Sequence, residues 1–537
     1  MPQKHRRTRS SKRSVMSHQF SRAPQAQIPR SSFDRSHGLK TTFDAGWLVP
    51  IFVDEALPGD TFNLRTNLFG RLATPIKPIM DNLFLETFFF FVPNRLVWDN
   101  WQKFNGEQDN PGDSTDYTVP VLEDGDNINT GEQTLWDYMG CPILQIPNNL
   151  PTNALHFRAY NLIFREWFRD QNLQQSPPVP TDNGPDDLSD NYTLLRRGKR
   201  HDYFTSCLPW PQKGDPVTVD LGGNAPVHTA GGVGAFPTLI SDPTGNAHFL
   251  NHSVNGTDVT VSASIVGAPG PNAMYADLAA ASGFTINDLR QAFQIQKLLE
   301  RDARGGTRYT EIVKSHFGVS SPDARLQRPE FLGGGSQMVN INPVAQTSSS
   351  DDGPGPLDTA QGNLAAFGTV AAQGHGFTKS FTEHGVIIGL VNVRADLTYQ
   401  QGLNRMWSRQ GRYDFYWPAL SHIGEQAVLN KEIYARGVVA DDEVFGYQER
   451  YAEYRYKPSV ITGKFRSEAN ASLDYWHLSQ DFENLPVLSD QFIQDDPPID
   501  RVIAVQDEPH FLLDCFFKLR CARPMPLYGV PGLIDHF

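Results

Sequence analysis

The run Leu83–Pro93, LFLETFFFFVP, sets the narrowest limit on what this chain can fold into. It is apolar apart from Glu86 and Thr87, and Phe88–Phe91 stand in a row. Its length is about half of what a membrane-spanning helix needs. Read as a strand it has no polar side, as expected where both faces are covered. Its phenylalanine density suits the centre of a sandwich core.

The neighbouring sequence agrees with a β reading. Phe43, Ala45, Trp47, Val49, Ile51 and Val53 recur at period two before Pro58-Gly59-Asp60 turns the chain. A second strand is expected through TFNLRTNLFGRLA, another through HGVIIGLVNVRADLTYQ, and a last one through FLLDCFFKLRCARPMP. Residues 399–480 are crowded with Tyr and Trp and form a long irregular stretch. Two helices intrude. TNALHFRAYNLIFREWFRDQN has apolar residues at helical spacing, with Thr152 as its N-cap. TINDLRQAFQIQKLLERDAR carries a capping-box pair in Thr285 and Asp288 and an apolar stripe of Leu289, Phe293 and Leu298. With Gly 44 and Pro 39 among 537 residues, turns and long loops outweigh long helices. The expected fold is mainly β, an antiparallel β-sandwich with large helical and loop insertions. Its first and last strands should lie near each other.

Two segments stand apart. Residues 213–272 are rich in Gly, Thr, Val, Asn and Pro and poor in Lys, Arg and Glu, which suggests a small exposed β-rich insertion. Residues 333–376 read as a second loop-like region, with Gly333-Gly334-Gly335 as a flexible hinge rather than a phosphate cradle.

Charge divides the chain. Residues 1–40 hold ten Lys and Arg against Asp34, a charge of +9, so the rest carries −22 of the net −13. The expected organisation is a flexible basic arm over 1–40 and a folded body over 41–537. Arg6, Arg7, Arg9, Lys12 and Arg13 cluster without intervening aromatics, which favours sequence-blind neutralisation of phosphates over base readout. An unstructured solubilising tail is the plainer reading of the same residues. The acidic body would repel free nucleic acid, so binding should be confined to the arm and to local patches.

Motifs for chemistry are missing. HExxH, GxSxG, GxxxxGK[ST] and a strand-linked GxGxxG do not occur, so no catalytic residue, cofactor or metal is expected. Asp441-Asp442 and Asp495-Asp496 read as solvated loop residues, and His375, His384, His422 and His477 form no ligand ladder. Cys141, Cys207, Cys515 and Cys521 show no CxxC spacing. Cys515 and Cys521 share the apolar face of the last strand with Phe511, Leu513, Phe517 and Leu519, about 20 Å apart and beyond disulfide reach. Reduced, buried thiols fit a reducing compartment such as a bacterial cytoplasm. No apolar signal-peptide core follows the basic N-terminus, so neither secretion nor membrane insertion is expected. YQERYAEYRYKP interleaves Tyr447, Tyr451, Tyr454 and Tyr456 with cations. Such a mixture suits a subunit interface or core packing first and the stacking of single-stranded bases second.

Five blocks carry a family resemblance: TTFDAGWLVPIFVDEALPGDTF, LETFFFFVPNRLVWDNW, ALHFRAYNLIFREWFRDQN, IQKLLERDARGGTRYTEIVKSHFGV and SSPDARLQRPEFLGG. Together they resemble the major capsid proteins of the Microviridae, on the gokushovirus branch. The resemblance implies a viral jelly roll with large insertions, many copies of which form a T=1 icosahedral shell around circular single-stranded DNA. It further implies a protrusion at the three-fold axes, matched by position to residues 213–272, for attachment to a host surface receptor. A small basic DNA-binding virion protein would be a companion, with assembly in the host bacterial cytoplasm. A sugar-binding or carbohydrate-active sandwich and a free-standing single-stranded DNA-binding protein are the alternatives. The basic arm weighs against the first and the acidic body against the second.

Overall fold

The computed structural model describes residues 29–528 except 124–129, 144–150, 307, 320–326 and 349–360; within 216–285 it describes chiefly five short strands. The principal strands are β1 (Ser31–Asp34), β2 (His37–Phe43), β3 (Val49–Ala56), β4 (Thr61–Leu72), β5 (Leu83–Pro93), β6 (Glu330–Met338), β7 (Asn340–Ala345), β8 (Leu364–Ser380), β9 (Gly385–Ala395), β10 (Glu425–Leu429), β11 (Val444–Glu449) and β12 (Phe511–Arg523). The helices that matter here are α1 (Leu155–Ile163), α2 (Ile286–Gly305) and α3 (Tyr309–Phe317).

Two antiparallel sheets form the body. One has the order β1-β12-β4-β8-β7, with β2 also on β12, and the other β6-β5-β9-β3. Their facing sides share one core, in which rings meet across the gap: Phe52 on β3 lies 5.3 Å from Phe517 on β12, and Phe89 on β5 lies 5.8 Å from Phe377 on β8. β4 and β12 alternate strictly between buried and exposed residues, as strands do when one side faces water. β5 and β9 are buried on both sides. Their far side, with Phe90, Val92, Ile388 and Leu390, packs against a third layer containing Trp98, Trp136, Phe157 and Tyr160. The apolar run thus has cover on both faces because a helical layer closes the side that the other sheet leaves open.

The first and last strands are direct neighbours: β1 and β2 pair side by side along β12, from Ser31 opposite Arg523 to Phe43 opposite Phe511. This corrects the arm. Its last ten residues are largely strand, because Leu39 packs against the core and the backbone of 31–34 and 37–43 completes the edge of β12. The period-two run from Phe43 to Val53 is also not one strand. It breaks at Gly46, where φ is +82° and a Cβ would collide with the Asp495 carbonyl, and the chain passes from one sheet to the other.

Residues 333–376 are not loop throughout. Gly333, Gly334 and Gly335 lie in β6, paired with Phe89, Phe88 and Thr87 of β5. A Cβ on these three would strike, in turn, the Gly376 carbonyl, the Thr87 carbonyl and the His375 ring. The glycines permit close approach of strands, and their composition mimics that of a hinge.

α1 lies where the sequence places a helix, but Thr152 is not its cap; Asn153 Oδ1 accepts the Leu155 N–H at 2.8 Å, and Ala154 precedes the first turn. The following turn, Phe164–Phe168, is wound as a π-helix. α2 also forms as expected, yet Phe293 and Leu298 are exposed among the described residues, and Thr285 lies outside them. Within the expected insertion, Ile240–Ser241, Ala247–His252 and Val259–Ser262 are strands that pair in that order, and Val227–Thr229 pairs with Met274–Ala276, just beyond its expected end.

Candidate assembly surface

The irregular stretch after β9 rests on a core of its own, with Tyr203, Phe204, Tyr399, Val428, Ile433, Phe445 and Phe492. Above it, residues 403–423 fold into short 3-10 turns instead of strands. Side chains cap the starts of the first two turns. Asn404 Oδ1 accepts the Met406 N–H at 3.0 Å. Asp414 accepts those of Gly411 and Gln410 at 2.7 and 2.9 Å, bonds that hold its carboxyl below the usual range.

The result is a loop, tied by local hydrogen bonds, that displays aromatic rings. Trp407 is 71% exposed and Tyr413 65%, with Phe415, Tyr416, Trp417, Tyr454 and Tyr456 between 41% and 56%. Isolated exposed apolar residues are normal, but so many rings on two segments that meet at Tyr416 and Tyr454 mark an interaction surface. Cations lie against them: Arg409 is 4.2 Å from the Tyr454 ring centre and Arg412 4.8 Å from that of Trp417.

Of the four tyrosines picked out from sequence, the structure joins two. Tyr451 is buried at φ +64°, a strained position for a non-glycine residue. It is held there because its N–H donates to Gln426 Oε1 and its hydroxyl to the Phe415 carbonyl, both at 3.1 Å. The rings of Tyr451 and Tyr454 are 6.1 Å apart, and Tyr416 completes the group at 5.1 Å from Tyr451. Tyr447 is placed differently, in β11 with its backbone paired to Leu208. Tyr456 is exposed beyond the group. Tyr451 is therefore a packing residue, and Tyr454 is the ring that the loop presents. Beneath them Arg409 bonds Glu453 at 3.2 Å, and Gln426 donates to the other oxygen of that carboxylate at 2.6 Å. Arg6, Arg7, Arg9, Lys12 and Arg13 lie outside the described residues.

Sequence reasoning passed over the partners in FYWP, residues 415–418, although the run with Arg409 and Arg412 ahead of it was a visible signal. It also passed over the basic run RRGKR at 196–200. Arg197 and Arg200, together with Arg394, enclose Glu86, the one acid of the apolar strand. Burial opposes ionisation of Glu86, but the three guanidiniums win and hold its carboxyl below the usual range. These cations border a cleft of about 710 Å³. Their charge is mainly spent on Glu86 and Asp396.

The paired acids are corrected too. Asp441 and Asp495 are buried, and only Asp442 and Asp496 face solvent. Asp441 closes a turn by accepting the N–H groups of Arg436 and Gly437. Cys515 and Cys521 are free and buried, as expected; Cys207 is buried as well, and Cys141 is partly exposed. Among the described residues no three His, Cys, Asp or Glu side chains gather as metal ligands, and no helix is long and apolar enough to cross a membrane.

Comparison with known proteins adds a strong constraint. The family described as capsid protein (F protein) matches residues 21–533. The chain is 50% identical to capsid protein VP1 of Bdellovibrio phage phiMH2K, over 97% of this chain and 98% of that protein. It is 46% identical to capsid protein VP1 of Chlamydia phage 1, over 97% and 98%. With capsid protein VP1 of Spiroplasma virus 4 it shares 38% identity over 97% and 99%.

Proposed function

This chain belongs to the capsid protein (F protein) family, and on that premise we propose that its copies close into a T=1 icosahedral shell around circular single-stranded DNA. It is the major capsid protein of a gokushovirus-type Microviridae phage, a structural protein and not an enzyme. Capsid proteins of this family form a shell, so the chain works as a homo-oligomer.

The observation that carries the proposal is the ordered aromatic loop at 403–423 with Tyr454. Tyr, Trp and Arg are the residues that dominate subunit contacts, and here they are exposed before any partner arrives. Two facing antiparallel sheets with long insertions support a jelly-roll reading of the body. The basic segment before Ser31 suits neutralisation of packaged DNA, shared with a small basic virion protein. The β-rich insertion at 213–272 suits an outward protrusion at the three-fold axes that meets a host receptor. Assembly in the host bacterial cytoplasm agrees with the free, buried thiols.

Sedimentation and negative-stain microscopy of the expressed chain, with and without circular single-stranded DNA, test this reading. Uniform small closed shells, lost in Trp407→Ala and Tyr413→Ala without loss of subunit folding, are expected. Shells formed equally well by both variants would remove the loop from the contacts, and larger or open assemblies would refute T=1 closure.

A further inference from the structure

The outer face of the β1-β12-β4-β8-β7 sheet differs from the rest of this acidic chain. Its alternation turns Asn63, Arg65, Asn67, Phe69 and Arg71 of β4 outward beside Leu512, Asp514, Phe516, Lys518 and Arg520 of β12. With Lys40 there are five cations here. The acids on these strands are Asp34, which bonds Ser36 and stands opposite Arg520, and Asp514, paired with Lys40 at 3.3 Å, so cations remain in excess on this face. The outward residues of β7 and β8, such as Asn340, Asn342 and Gln373, add no charge. A chain of net charge −13 thus shows a cationic plane.

The register sharpens the point. Arg65 stands directly opposite Lys518. Like charges directly opposite each other, with Cβ atoms about 5 Å apart, are unfavourable in a sheet. Asp34, opposite Arg520 and so diagonal to Lys518, offsets part of this charge, and an anionic partner would offset the rest. Among the rings, Phe69 is opposite Asp514 and Phe516 opposite Asn67, which makes the two phenylalanines diagonal neighbours. Each is 49% exposed, and Leu512 is 54% exposed beside them. A groove of about 540 Å³ is lined by Lys40, Phe69, Arg71 and Leu512, with Asp137 and Asp514 also on its wall.

We propose that this sheet face is a docking surface for single-stranded DNA, with bases stacked on Phe69 and Phe516 and phosphates held by Arg65, Arg71, Lys518 and Arg520. Charge complementarity selects a polyanion, and exposed rings on a flat sheet select one whose bases are unpaired. A duplex would offer the cations its phosphates but hide its bases from the rings. The proposal rests on the reading that the shell encloses single-stranded DNA, and it assigns part of the inner surface to this sheet.

The test uses full-length subunits and a labelled oligothymidylate of about 16 nucleotides, with an abasic strand of the same length as control. Arg65→Gln/Lys518→Gln is expected to weaken binding about tenfold at low salt and to flatten the salt dependence by about 1.4 in log–log slope. Its thermal stability without DNA should be unchanged or higher. Phe69→Ala/Phe516→Ala should weaken the oligothymidylate about tenfold and leave the abasic strand unchanged. Wild-type affinity in both variants, while removal of residues 1–28 abolishes binding, would overturn the surface and leave the arm. Wild-type affinity in all three would place the DNA contacts elsewhere and overturn the surface, whereas no measurable binding by the wild-type chain would sink DNA enclosure itself. A change in sedimentation of the DNA-free variants, or tighter capture of an acidic peptide than of DNA, would make the face a protein contact and also overturn the proposal.

Discussion

Asp495 and Asp496 are adjacent in sequence and opposite in environment. Asp496 meets Arg196 at 2.7 Å near solvent, whereas Asp495 is buried and its Oδ2 has no donor among the described residues. Burial pushes the Asp495 carboxyl from 3.8 up to about 7, against the pull of Arg394, Lys199 and Arg197. A group that holds its proton more tightly when folded contributes stability below its unfolded pKa, and that contribution is lost as pH rises through the folded value. Asp495→Asn should therefore stabilise the subunit by about 2–4 kcal/mol at pH 8 and change little near pH 4, read by thermal melts at both pH values. An equal gain at both would mean that ionisation is not the cause. Gly334 makes a steric prediction. An added Cβ meets the Thr87 carbonyl, so Gly334→Ala must push β6 away from β5. We expect a loss of about 1–3 kcal/mol, seen as a lower Tm, where an ordinary exposed strand glycine would show little change.

At the level of elements, the aromatic loop depends on what lies under it. Arg409 bridges the nearly buried Glu453 and the face of Tyr454. Arg409→Ala leaves that carboxylate short of its cation and the ring without support. The expected cost is about 3 kcal/mol or more in subunit stability, together with lost assembly. Tyr454→Phe keeps the ring and should preserve both, which light scattering and melts can compare. If Arg409→Ala assembled normally, the loop geometry would not depend on this cation.

For the whole molecule, the end of the sheet is the beginning of the chain. β1 and β2 complete the edge of β12, and Arg30 Nη2 donates to the Gly59 carbonyl at 2.6 Å and to Thr61 Oγ1 at 2.9 Å. Removal of residues 1–28 should leave the melting curve of the body intact and reduce DNA retained in particles. Removal of 1–40 should instead lower stability, since it strips β1 and most of β2 from the sheet. Equal melting of the two truncations, by calorimetry, would show that this edge pairing contributes little.

Much of this was legible in the sequence because it depends on local periodicity. Alternation in FLLDCFFKLRC announced a strand with one covered face and assigned Cys515 and Cys521 to that face, and the unbroken run at 83–93 announced cover on both. Family membership was legible in long blocks of identity. What the sequence left undecided depends on contacts made far along the chain. The glycines at 333–335 look like a hinge until β5 and β8 are seen pressing against them. The terminal ten residues of the basic segment look like arm until β12, nearly 500 positions away, supplies a partner. Tyr447 and Tyr454 belong to one motif in sequence, yet one pairs with Leu208 and the other meets solvent. Arg65 and Lys518 show no relation until the register sets them opposite each other. Periodicity is written residue by residue, but register and burial exist only once distant strands have met, and only the tertiary structure could decide them.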